Sequence, residues 1–173
     1  MEDYKETGLQ LAVIANGSFQ VHFHNIVEQH NLYDRVAVRN FDEDLSHLAY
    51  AGSDFILMPS SFEPCGLPQM VSPKYGSLPI VHNTGGIHDT VEPLDTTNHT
   101  GNGFRFDHFD TNALRWGIDQ AMNFYRQSAD FRAEQISRIM KEAEERFNHE
   151  TTASSYISVY EKMLGRSVAR VTA

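Results

Sequence analysis

The segment Pro59-Ser60-Ser61-Phe62-Glu63-Pro64-Cys65-Gly66-Leu67-Pro68-Gln69 follows a short apolar run, residues 55–58. That run is continuous in hydrophobicity and closed by Pro59, which predicts a strand buried on both faces. A glutamate just past a strand end, with Gly66 opening a predicted helix, sets a carboxylate beside free backbone N–H groups. Helix N-termini favour negative charge and bind anions. The amides can then take a phosphate while Glu63 accepts ligand hydroxyls. The other reading makes Glu63 a first-turn acidic cap with no ligand, and spacing alone does not separate the two. A second segment, Asn83-Thr84-Gly85-Gly86-Ile87-His88-Asp89-Thr90-Val91, follows another apolar run, residues 78–82. Two glycines at a strand-to-helix turn let backbone approach a ligand closely. Taken singly, such a pair more often serves only the turn.

The elements that must position these segments alternate. Residues 9–15 read as a buried strand ended by Asn16-Gly17, and residues 18–30 carry Phe19, Phe23, Ile26 and Val27 at helical spacing. Residues 36–38 give a second strand. Residues 42–51 give a helix with Asp42 as N-cap and Leu45, Leu48 and Ala49 on one face. After the strand at 55–58, residues 66–75 predict a short helix broken near Pro73. A strand at 78–82 and a helix at 86–91 follow. Residues 92–102 lack periodicity and read as a loop, and residues 103–106 as an edge strand. Three helices close the chain, at 111–126, 130–147 and 151–164. Alternation of this kind predicts an α/β fold, a Rossmann-like parallel sheet with helices on both faces. Ligands of such sheets sit outside the carboxyl ends of the strands, here after residues 38, 58 and 82.

Composition excludes several function classes. The 173 residues (19.6 kDa) carry 14 basic and 23 acidic side chains, net −9, with pI about 5.4. No basic stripe exists to neutralise a phosphate backbone, so no nucleic-acid partner is expected. The apolar runs fall far short of the roughly 20 residues of a membrane span. The acidic start, Met1 to Gly8, has no apolar h-region of a leader. The single cysteine, Cys65, forms no intramolecular disulfide and fits a reducing, cytoplasmic setting.

The segments PSSFEPCGL, residues 74–81 (KYGSLPIV) and TGGIHDTV together closely resemble the C-terminal domain of bacterial glycogen synthases and plant starch synthases. The resemblance is most specific from residue 9 to 91 and continues through Gly101-Asn102-Gly103-Phe104 and the helix at 112–127. It implies part of a GT-B architecture and transfer of glucose, with retention, from ADP-glucose or UDP-glucose to the non-reducing end of an α-1,4-glucan. Glu63, the catalytic-site residue on this resemblance, would lie against hydroxyls of the donor glucose. The amides of Cys65, Gly66 and Leu67 would lie by the sugar and the diphosphate. Phe41, at the end of the preceding strand, would stack on the base. Gln69, Thr84, Gly85 and Gly86 would complete the walls. The resemblance implies no cofactor and no metal, since protein cations and helix N-termini stabilise the leaving phosphate. Cys65 reads as a small residue in a tight turn, not a nucleophile.

Three departures qualify this. Many GT-B transferases carry a second glutamate eight positions after the first; Val71 stands there, as is common in synthases of this family. Pro68 has no N–H to offer a phosphate. No segment matches the family's N-terminal acceptor domain or the first βα unit with its Arg and Lys, and Lys5 and Lys74 do not stand in that motif's context. Residues 1–173 are therefore expected to be the nucleotide-sugar-binding domain without those parts, inactive alone, with glucan reached through the N-terminal domain. The alternatives are a non-catalytic Rossmann-like nucleotide-sugar-binding or interaction module, and a GT-B transferase with another acceptor. His22 and His24 lack metal-ligand spacing. His82 and His88 flank the site. Residues 141–146 read as a solvated helix face, and Trp116 and Phe124 as core.

Overall fold

The computed structural model describes residues 7–168; Lys5 lies outside them. The chain divides into two units, one ending at Gly52 and one beginning at Ser53.

The first unit is one βαβ crossover followed by a helix. Strand β1 (Leu11–Ile14) leads through α1 (Gln20–Gln29) to β2 (Val36–Arg39), which pairs parallel to β1 with Val13 opposite Val38. Side chains alternate across a strand. Val36 and Val38 accordingly face a small core with Val27 and Leu32, against which Leu11 and Val13 pack. Helix α1 has no side-chain cap at Phe19. Its first residue instead ties the helix start to the end of β2, with Gln20 Nε2 donating to Arg39 O at 3.2 Å and Asn40 Oδ1 at 3.1 Å. Helix α2 (Glu43–Gly52) is capped as its sequence predicts, with Asp42 Oδ1 accepting from Leu45 N at 2.8 Å. Its inner face differs from the expected one. Ser46 is the buried residue, and Leu48, about 200° around the helix from it, is 69% exposed.

The second unit carries the larger core. Strands β3 (Phe55–Met58), β4 (Leu78–His82) and β5 (Phe104–Phe106) form a parallel sheet with β4 in the centre. Crossover connections return each strand beside its predecessor within a unit, giving one parallel ladder in the first sheet, β1-β2, and two in the second, β3-β4 and β4-β5. All five residues of β4 are buried, as a strand covered on both faces must be. On one face Leu78, Ile80, Phe104 and Phe106 pack with Ala121 and Phe124 of α5 (Thr111–Tyr125) and Ile139 of α6 (Ala129–Arg146). On the other, Met58 and Val81 pack with Val91 and with Ile87 of α4 (Gly86–Thr90). Gly117 lets α5 lie close to the sheet, because a Cβ there would stand 3.0 Å from the Phe106 ring.

Between β3 and β4 the expected broken helix is shorter than its sequence suggests. Helix α3 (Pro68–Val71) is a single turn, followed by a 3-10 turn, Ser72–Tyr75. Proline suits the first helical position and not the interior. Pro68 therefore starts α3, and Pro73 brings on the tighter turn. Helix α7 (His149–Leu164) begins on Asn148, whose side chain accepts from Thr151 N, and buries no residue.

Candidate functional site

Both glycine-bearing segments leave the same end of the second sheet, since β3 and β4 run parallel. There they meet through backbone. Gly86 N donates to Glu63 O at 3.0 Å. A Cβ on Gly85 would stand 2.0 Å from that same oxygen, and one on Gly86 2.8 Å from Cys65 Cα. Gly85 also has φ +50°, a region side chains rarely enter. The two glycines thus admit one loop against the other.

Gly66 and Gln69 form a second lock. Gly66 has φ +69°, and a Cβ on it would stand 2.4 Å from Gln69 Oε1. The Gln69 side chain is fully buried. Its Nε2 donates to Cys65 O at 2.9 Å and to Thr90 Oγ1 at 3.2 Å, joining the loop to α4. Gln69 therefore sits beneath the loop, not on a solvent-facing wall.

Several polar groups of these two loops remain without a partner. The backbone N–H groups of Cys65, Gly66 and Leu67 donate to no acceptor among the described residues, nor do those of Thr84 and Gly85. The left-handed Gly66 is followed by right-handed Leu67, and alternation of this kind turns successive amides into an anion-binding concavity. Glu63 is half-buried, and its carboxylate has no hydrogen-bond or ion-pair partner among the described residues. Such a group gains from hydroxyl donors. Cys65 is exposed and unpaired.

Side chains at the ends of β4 and β5 hold this arrangement from behind. His82 is buried, with Nδ1 2.7 Å from Ser60 O and its ring stacked on Phe106 at 5.6 Å between centroids. It anchors the loop after β3. Asn83 Nδ2 donates to Asp107 Oδ1 at 2.6 Å, and Asn83 Oδ1 lies 2.9 Å from His88 Nδ1. Arg105 Nη1 donates to Val91 O at 3.0 Å, at the end of α4. Sequence spacing gave no sign of Asp107 or Arg105, because only the pairing of β4 with β5 brings them beside Asn83 and α4. Phe41, in the first unit, presents an exposed ring just past β2, and its N–H donates to Asn16 Oδ1 at 3.1 Å. Among the described residues no group of three His, Cys, Asp or Glu is arranged to hold a metal. No described helix is long and apolar enough to cross a membrane.

The family described as glycosyl transferases group 1 matches residues 2–142. A glycogen synthase of Bacillus licheniformis is 36% identical over 168 residues, covering 96% of this chain and 33% of that protein. A glycogen synthase of Bacillus subtilis is 41% identical over 124 residues, covering 71% of this chain and 26% of that protein. The chain thus spans about a third or less of the curated relatives it matches. Among solved structures, the catalytic domain of starch synthase IV from Arabidopsis thaliana, bound to ADP and acarbose, aligns with a TM-score of 0.72 at 26% identity. That alignment covers 94% of this chain and 40% of that one.

Proposed function

Because the chain belongs to the glycosyl transferases group 1 family, we propose that it is the donor-binding part of a glycogen or starch synthase. On this reading it takes part in moving glucose, with retention, from ADP-glucose or UDP-glucose to the non-reducing end of an α-1,4-glucan. The observation that carries the reading is the meeting of the Glu63 loop with the Gly85-Gly86 turn. It leaves an unpartnered carboxylate and several unpaired amides at one strand end. The glycogen synthase relatives support it.

Glucosyl transfer builds positive charge at the sugar's anomeric centre and negative charge on the departing phosphate. Pre-placed dipoles aimed at developing charge are commonly the largest catalytic contribution. The amides of Cys65, Gly66 and Leu67, with Thr84, Gly85 and Gly86 behind them, are assigned to the diphosphate. Glu63 is assigned to the donor glucose hydroxyls, which fixes the sugar for attack. Phe41 is assigned to the nucleotide base, and Gln69 to holding the loop. The reacting end of the acceptor glucan is assigned to the family's N-terminal domain, and the cations that complete the reaction to its first βα unit. The one free cysteine fits a reducing compartment, and we assign the reaction to the cytoplasm.

Calorimetry with ADP, UDP and their glucose conjugates tests this. Glu63→Gln is expected to weaken ADP-glucose or UDP-glucose by about ten- to a hundredfold, the size of a hydrogen bond to a charged group of about 1.5–3 kcal/mol. Binding of the bare nucleotide is expected to stay unchanged. No nucleotide binding by the chain, or equal loss for conjugate and bare nucleotide, would overturn the assignment.

A further inference from the structure

We infer that the groove between the end of β5 and the start of α5 is a second saccharide site, which holds an α-glucan chain against Trp116. The inference rests on the reading above that an α-1,4-glucan is the acceptor, and it adds a contact outside the donor site. The groove has a volume of about 330 Å³, within the size range of small-molecule sites.

Trp116 was expected in the core with Phe124. The two are about 80° apart around the helix, and the structure separates them. Phe124 is 6% exposed and packs on the sheet, while Trp116 is 52% exposed on the groove's rim. The close approach of α5 at Gly117 sets Trp116 beside the end of β5. An exposed indole offers a flat apolar face with a polar edge.

The rest of the lining selects the ligand class. Asp107, His108, Asp110 and Asn112 line the same groove. Asp107 Oδ1 is taken by Asn83, and Asp110 Oδ1 by Asn112 N and Ala113 N. Each carboxylate keeps its second oxygen free of any hydrogen bond to a described residue. Two carboxylates repel a phosphate or nucleotide, and the Arg105 guanidinium is turned to backbone carbonyls at the end of α4. A purely apolar ligand would leave the polar rim unpaired, at a cost. A neutral polyol meets both demands. The C–H face of a glucose ring covers the indole, and its hydroxyls donate to the carboxylates and pair with Asn112.

Trp116 is the single tryptophan of the chain, so its emission reports this groove alone. Titrating the full chain with maltoheptaose is expected to change that emission saturably. Glycogen cast into a native gel is expected to retard the chain. Trp116→Ala should weaken glycogen retardation by about tenfold or more, and Trp116→Phe should keep part of it, because the smaller ring leaves less flat apolar area under the sugar. Asn112→Ala should weaken binding with the tryptophan signal intact. Unchanged emission at millimolar maltoheptaose would overturn the inference, as would undiminished retardation of a folded Trp116→Ala chain. An equal response to a cello-oligosaccharide would overturn the commitment to α-glucan. Parallel titration with ADP and UDP separates the two readings. Nucleotide binding without a maltoheptaose response sinks the groove and leaves the donor site. A maltoheptaose response without nucleotide binding supports the groove and sinks the donor site.

Discussion

At the scale of single residues, the candidate site is held together by groups whose job sequence shows only in part. Gly85 is legible in the sequence as a place of close approach, and what approaches it in the structure is the Glu63 carbonyl. Gly85→Ala combines a forbidden backbone conformation with a backbone collision, so it should lower stability by about 1–3 kcal/mol. Urea denaturation would show this as a lower midpoint at constant slope, and an unchanged midpoint would mean that the two loops do not need each other. Gln69 was not legible in its real role. A polar residue three positions after a glycine gives no hint that it will be fully buried. Only the close packing of α4 on the loop makes its amide the bridge between Cys65 O and Thr90 Oγ1. Gln69→Leu keeps the volume and removes the donor, leaving the Cys65 carbonyl unpaired, for an expected loss of about 1–3 kcal/mol. Thermal unfolding measures it, with Gln69→Glu as the companion variant that keeps the shape.

At the scale of elements, the strands were readable because their signal is strong and local. The expected bounds of β3 and β4 are the observed ones, since both are continuous apolar runs closed by a change of residue type. Strand β4 is buried throughout, while in β3 only Met58 is fully buried and Phe55, Ile56 and Leu57 are half-buried. Helix caps were readable where an Asp precedes a periodic run, as Asp42 does for α2. Faces were harder. Leu48 and Trp116 look like core residues by type, and both point outward, because hydrophobicity gives a helix an inner face without saying which neighbour arrives to cover it. The loop at 92–102 was legible as a loop but not as an ordered one. Asp95 and Thr100 bridge across it, and Asp95 Oδ1 accepts from Thr97 N and Asn98 N. Hydrogen bonds from Asn98, backbone first and side chain second, and from Thr97 hold the Asp95 carboxyl below its usual range. A lowered folded-state value means that the turn's contribution is present above the ordinary aspartate value and is lost as pH falls through the lowered one. Amide exchange or chemical shifts of Thr97 and Asn98, followed below about pH 4, should therefore titrate later than a free aspartate. In Asp95→Asn the same signals should show no such transition. For α7, Asn148→Ala removes the side-chain cap on Thr151 N. It should cost about 1 kcal/mol and fray the first turn, which circular dichroism of the variant during thermal unfolding would register.

At the scale of the whole chain, each unit has its own core, and the cores are unequal in kind. The first is a two-stranded ladder with four buried residues, Val27, Leu32, Val36 and Val38. Two strands alone are marginal in water and lean on helix packing for stability. The second has a central strand paired on both sides and covered on both faces, with Leu78 and Val81 wholly excluded from solvent. Local opening free energy follows buried apolar contact and the shielding of backbone hydrogen bonds. The amides of β4 should therefore exchange only through the opening of the entire second unit, while those of β2 exchange through a smaller event. Hydrogen exchange read on peptides spanning residues 36–39 and 78–82 is expected to show the first losing protection at denaturant levels that leave the second intact. Val38→Ala, which removes two methyl groups from the smaller core, should cost about 1–3 kcal/mol of that opening and widen the gap. The corresponding cut in the larger core, Ile80→Ala, should bring β4 protection down with all of its sheet, because Ile80 joins the strand to α5 and α6. Equal protection of the two strands in the unaltered chain would mean that both open in one event of the same free energy, and the ranking by burial would fail.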